Sequence, residues 1–180
     1  FTFSIPLETI VFTETFGLNA AARRSGIRAA CSMATDAALP PVSITFAGTG
    51  HLCLATLHAN NAAEALDRII NMFPRDQHSQ IFLDLSQYLK AILSQRLVVG
   101  KDGRRCAAIE VLLNTPHVQE LIKKGDVIGV KESLIRSSEK GVQSFDIALY
   151  ELFKQGKVTL EEAISNADSR TNLEAKINFG

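Results

Sequence analysis

The stretch Thr49-Gly50-His51-Leu52-Cys53-Leu54-Ala55-Thr56-Leu57-His58-Ala59-Asn60 sets two histidines around a short apolar run, each preceded two residues earlier by a threonine. The run Leu52 to Leu57 has the length of a buried strand, and the asparagines after it are helix-start residues. With Asn61 as the cap, Glu64 falls at the third helical position and reaches back. Ala62, Ala63, Leu66, Ile69, Ile70 and Phe73 then recur at spacings of three and four, which gives one apolar stripe, and Pro74 stops it.

Downstream the signals continue. A longer helix is expected from about His78 to Gln95, with Ile81, Phe82, Leu85, Leu89 and Ile92 placing it deep. Leu97-Val98-Val99 and Cys106 to Leu113 read as two strands joined through Gly100-Lys101-Asp102-Gly103 as a hairpin. The rest is expected to be helical. Thr115 and Pro116 form a cap and a first-turn proline, and Lys123-Lys124-Gly125 close that helix with positive charge and a glycine. Phe145, Ala148, Leu149, Leu152 and Phe153 form a stripe ended by Gly156, and Thr159 with Glu162 makes a capping box. The segment from there to Gly180 reads as a frayed helix.

Upstream the order breaks down. Phe1 to Phe16 reads as one or two short strands broken at Pro6 and Gly17, and Asn19 to Leu39 is rich in Ala, Arg and Ser without a period. The 180 residues fit one domain, or one with a small appendage. With 19 basic and 19 acidic residues, no overall field draws the chain to nucleic acid or acidic lipid. Three scattered cysteines suit a reducing cytosol and form neither a disulfide framework nor a zinc site. No apolar run approaches a membrane helix, and the start lacks the basic region of a signal peptide.

Histidines at strand ends are commonly structural, held by one backbone hydrogen bond. His51 and His58 lie seven apart, so one continuous strand would point them to opposite faces, and no neighbouring Cys, Asp or Glu completes a metal set. No nucleophile elbow is present. Phosphate recognition suits these residues better: imidazoles and the Thr49 and Thr56 hydroxyls donate to a phosphate, and Gly50 allows close backbone approach.

The stretch resembles the histidine box of the secretion and pilus-motor ATPases. From about Ile44 onward the chain is similar to the C-terminal part of the PilT/PilU family of type IV pilus retraction ATPases, on its PilU-like side. The supporting pieces are Leu66-Asp67-Arg68-Ile69-Ile70, Ser94-Gln95-Arg96-Leu97, Ala107-Ala108-Ile109-Glu110-Val111-Leu112, Gln143-Ser144-Phe145-Asp146 and Asn166-Ala167-Asp168-Ser169. The resemblance implies an α/β fold: the C-terminal portion of a RecA-like P-loop ATPase core, followed by a helical C-terminal region. Residues 44–114 would form the partial core and 115–180 the helical region, with 1–43 an atypical segment, out of frame or poorly ordered. It further implies a hexamer with motor ATPase subunits of the same or another kind and an inner-membrane platform protein as partner. The setting would be cytoplasmic, peripheral to the inner membrane, with ATP and Mg²⁺ as ligands and no nucleic acid. By the same resemblance His51 and His58 report the state of the γ-phosphate, while Thr49, Gly50, Thr56 and Asn60 shape the nucleotide loop.

The sequence departs from that family in one consequential way. A phosphate-binding loop ends in Gly-Lys-Ser/Thr, and none occurs here; Gly100-Lys101 and Gly156-Lys157 fall in turns. Where relatives carry an apolar run and Gly-Glu-Ile-Arg, this chain reads Ala29 to Leu39, with Asp36 a poor substitute, and Gly48 stands where they usually carry Glu. The chain alone is therefore expected not to hydrolyse ATP at a motor-like rate. Three readings remain open: an interrupted retraction ATPase, a non-hydrolytic module that joins an intact motor, and a remnant that does not fold alone.

Overall fold

The computed structural model of the chain describes residues 8–13, 44–45, 47–50 and 53–179. Four strands form one sheet: β1 (Glu8–Thr13), β2 (Cys53–His58), β3 (Leu89–Val99) and β4 (Arg105–Leu113), in the order β2-β1-β3-β4. Every neighbouring pair is antiparallel, so β2 and β3 run parallel to each other with β1 between them. Parallel strands need a crossover, and here it is α1 (Ala62–Asn71), a 3₁₀ turn (Arg75–Gln77) and α2 (His78–Tyr88). After the hairpin come α3 (Pro116–Lys123), α4 (Val127–Arg136), α5 (Phe145–Lys154), α6 (Leu160–Ser165) and α7 (Arg170–Phe179).

Most starts and stops follow the local chemistry read from the sequence. The Asn61 side chain accepts from the Glu64 N–H at 2.8 Å, and Thr115, Ser144 and Thr159 cap their helices in the same way. Gly125 and Gly156 take φ of 73° and 72° just past α3 and α5, where a residue with a side chain would be strained. The capping box at α6 is only half made: Thr159 accepts from the Glu162 N–H, but the Glu162 carboxylate accepts from the Val99 N–H of β3 at 2.8 Å.

One expectation was wrong. The long helix to Gln95 ends at Tyr88, and the strand expected at Leu97 to Val99 begins at Leu89. Leu85, Leu89 and Ile92 continue a helical spacing of four and three, yet Leu89 turns extended (φ −59°, ψ 136°). The switch is held from a distance. The Asn114 side-chain amide donates to the Ser86 and Leu89 carbonyls at 3.0 and 2.8 Å, and the Asn114 N–H donates to Lys90 at 2.9 Å.

The β3–β4 register runs unbroken from Ala91↔Leu113 to Val99↔Arg105. Side chains alternate faces, so Ile92, Ser94, Arg96 and Val98 share one face with Cys106, Ala108, Glu110 and Leu112. That face carries two hydrophobic clusters placed end to end. Ile92 and Leu112 belong to the first, with α1–α4; Val98 and Ala108 belong to the second, with Phe145, Leu149, Val158, Ala163 and Leu173 of the α5–α7 region. Between them stands a buried polar pair, Ser94 opposite Glu110, only 1% and 3% exposed.

Candidate functional site

Of the histidine-box residues, the structure places five. Thr49 and Gly50 follow a short helical stretch at Ala47 and Gly48; Thr49 is exposed, and Gly50 takes a φ of 91°, open to glycine at little cost. Thr56 is half-buried within β2, and His58 is exposed at its carboxyl end. Alternation puts Thr56 and His58 on one side of the strand. His51 lies outside the described residues. At Gly48 a Cβ would stand 3.3 Å from the Tyr88 ring, so a larger residue there needs that ring to yield.

The loop leaving His58 is held on both sides. Its Asn60 N–H and side-chain amide donate to the Glu64 carboxylate at 3.1 and 2.6 Å, and Glu64 in turn pairs with Arg68 at 2.9 Å. The reach-back expected of Glu64 therefore lands on Asn60, one residue ahead of the cap. The Asn60 carbonyl accepts from Arg96 Nη2 at 3.4 Å. Ala62, the first residue of α1, donates its N–H to Glu110 Oε1 at 2.8 Å.

Arg96 and Glu110 bring together most of the sequence pieces that carry the family resemblance. The Arg96 guanidinium pairs with Asp168 at 2.6 Å, donates to the Asn166 carbonyl at 2.9 Å and lies 3.9 Å over the Phe145 ring. Asp146 accepts from the Asp168 and Ser169 N–H groups at 2.8 and 3.2 Å, which fixes the turn before α7. One guanidinium thus faces three carboxylates. Burial pushes the Glu110 carboxyl from 4.5 up to about 7; the Ala62 N–H, Arg96 and Ser94 oppose the rise, and Asp168 adds to it. Asp146 is raised too, first by burial, with its N–H donors opposing. Nothing in spacing alone assigned roles to Arg96 or Glu110. The available signal was a charged residue in the middle of each of two apolar strands.

A nucleotide with Mg²⁺ asks for more than these residues give. Among the described residues no group of three or more His, Cys, Asp or Glu side chains is placed for a metal ion, and the sequence has no Gly-Lys-Ser/Thr.

Residues 39–165 match the family described as Type II/IV secretion system protein. The type IV pilus ATPase PilU of Pseudomonas aeruginosa is 55% identical over 139 residues, covering 77% of this chain and 36% of that protein. PilT, the type IV pilus retraction ATPase of the same organism, is 31% identical over 132 residues, covering 73% and 38%. Among solved structures, the pilus retraction motor PilT with bound ADP superposes with a TM-score of 0.69 at 31% identity, over 86% of this chain and 45% of that one. The ATPase DotB of Legionella pneumophila, at 24% identity over 75% of this chain and 38% of that one, gives a TM-score of 0.65 and shares the fold. The chain spans little more than a third of the length of these curated relatives. Strand β1 comes from residues ahead of the family match.

Proposed function

Because this chain belongs to the type II/IV secretion system protein family, in its PilT/PilU branch, we propose that it is the histidine-box and helical portion of a pilus retraction motor subunit. The intact motor would couple ATP hydrolysis to withdrawal of pilin subunits, working as a hexamer on the cytoplasmic side of an inner-membrane platform protein. The supporting observations are the 55% identity to PilU over 139 residues and a family match at residues 39–165 that takes in both the box and Arg96. In this reading His58, exposed at the carboxyl end of β2, donates to a terminal phosphate. By the family resemblance His51, Thr49, Gly50, Thr56 and Asn60 serve the same nucleotide site.

Hydrolysis needs a phosphate-binding loop and Mg²⁺ carboxylates supplied from outside these 180 residues. Purified alone, the chain should show no ATP turnover above background. Turnover that disappears in His58→Ala would sink this part of the reading. A second reading has the chain join an intact motor without hydrolysing ATP. Mixing it with an intact PilU-type subunit separates the two by size-exclusion: co-elution supports the module, separate elution the interrupted enzyme. Residues 1–38 precede the family match. Translating the upstream DNA in all frames tests whether a family-like segment is encoded there.

A further inference from the structure

The clusters on the buried face of the β3–β4 hairpin meet at a polar seam rather than merging. Two side chains cross it. Arg96 reaches Asn60 on the first lobe and both Asn166 and Asp168 on the second, while Phe145 of α5 supports its flat face. Glu110 takes the first N–H of α1, where the helix dipole favours a carboxylate. We propose that Arg96 and Glu110 are positioning residues that couple the loop bearing His58 to the turn at residues 166–169. A displacement of either is then felt by the other across the seam.

The physical reason is that neither group can lose its partners cheaply. A guanidinium offers five donors in a rigid fork, and here they are spread over three acceptors from two lobes. Drawing the loop away from Arg96 and Glu110 leaves buried charge uncompensated, whereas a concerted shift keeps it paired. The groups facing Glu110 are Arg96 and the Ser94 hydroxyl from β3, Asp168 from the turn, and the Ala62 N–H from α1. Ionised, Glu110 is the stronger acceptor for that N–H; protonated, it is the weaker one. A change of charge at the turn therefore alters how firmly α1 is held at its start. The bearing of this coupling on nucleotide sensing rests on the phosphate-facing reading of His58; the coupling itself does not.

Amide NMR of the 180-residue chain, titrated between about pH 5 and pH 9 to bracket the Glu110 carboxyl, tests the proposal directly. The Ala62 amide should follow one titration, absent in Glu110→Gln. Asp168→Asn, a change in the other lobe, should lower that midpoint by about half a pH unit, roughly a threefold change in proton affinity. Arg96→Gln should raise it. Should Arg96→Gln not fold, the wild-type and Asp168→Asn titrations decide alone. An Ala62 midpoint indifferent to Asp168→Asn, or a titration that survives Glu110→Gln, overturns the proposal. Adding ATP and Mg²⁺ to the chain mixed with an intact PilU-type subunit, while watching the His58 ring, separates the two ideas. A silent ring together with a shifted Asp168→Asn midpoint removes the phosphate reading and upholds the coupling; a responsive ring with an unmoved midpoint does the reverse.

Discussion

A carboxyl group buried at the start of a helix, as Glu110 is, binds its proton more tightly in the folded chain than in the unfolded one. Between its ordinary 4.5 and its folded value of about 7 the native state holds more protons, so stability falls as pH rises through that window. The shift corresponds to about 3 kcal/mol in all. Glu110→Gln keeps an acceptor for the Ala62 N–H and has no such slope. It should match the parent near pH 4, below the window, and exceed it in thermal midpoint near pH 8, above it. Parent and variant midpoints that stay parallel across the range would rule this out. At this scale the sequence is legible unevenly. The histidines, threonines and asparagines of the box stand out through the family resemblance. Glu110 and Arg96 do not, because their roles depend on a cross-strand register and on a turn 58 and 72 residues further on, at Asp168.

The helix starts at Asn61, Thr115 and Thr159, fixed by neighbours in sequence, were readable; the passage from α2 into β3, fixed from far away, was not. Asn61, Thr115, Ser144 and Thr159 sit next to the helices they cap. The passage from α2 into β3 depends on Asn114, 25 and 28 residues downstream of the carbonyls it binds, and no local spacing encodes that. Asn114→Ala should strand the Ser86 and Leu89 carbonyls and cost about 1–3 kcal/mol, seen as a lower urea midpoint with an unchanged slope. Gly125 follows α3 at a φ of 73°, and a Cβ there would stand 3.2 Å from the Phe82 ring. Gly125→Ala should cost about 1–3 kcal/mol by the same measurement. A midpoint unchanged in either variant would show that the contact named is not what holds the end of its element.

Across the molecule, the division into two clusters predicts how damage spreads. Phe145 is fully buried in the second cluster, and Phe145→Ala should cost about 3–5 kcal/mol. Lost amide protection should concentrate in α5–α7 and the turn end of the hairpin, leaving α1–α4 close to normal. Uniform loss across both lobes in hydrogen exchange would show one core, not two. The α/β class was legible through the family resemblance, and β2, α1 and the hairpin strand Arg105–Leu113 through their own periods and stops. The place of β1 between β2 and β3 was not, because a short strand carries no signal for which strands it will pair with. The hairpin itself has a mechanical consequence. Eleven residues of β3, at a rise of about 3.3 Å each, make a stiff bar on which both lobes are mounted. At the far end the Lys101 N–H is tied to the Lys157 carbonyl at 2.8 Å, so the bar is pinned to the second lobe as well as packed against it. Two bodies riveted to one bar cannot part without tearing its ladder of hydrogen bonds. The bar itself therefore sets how the two lobes stand to each other, with Arg96 near its middle clasping both.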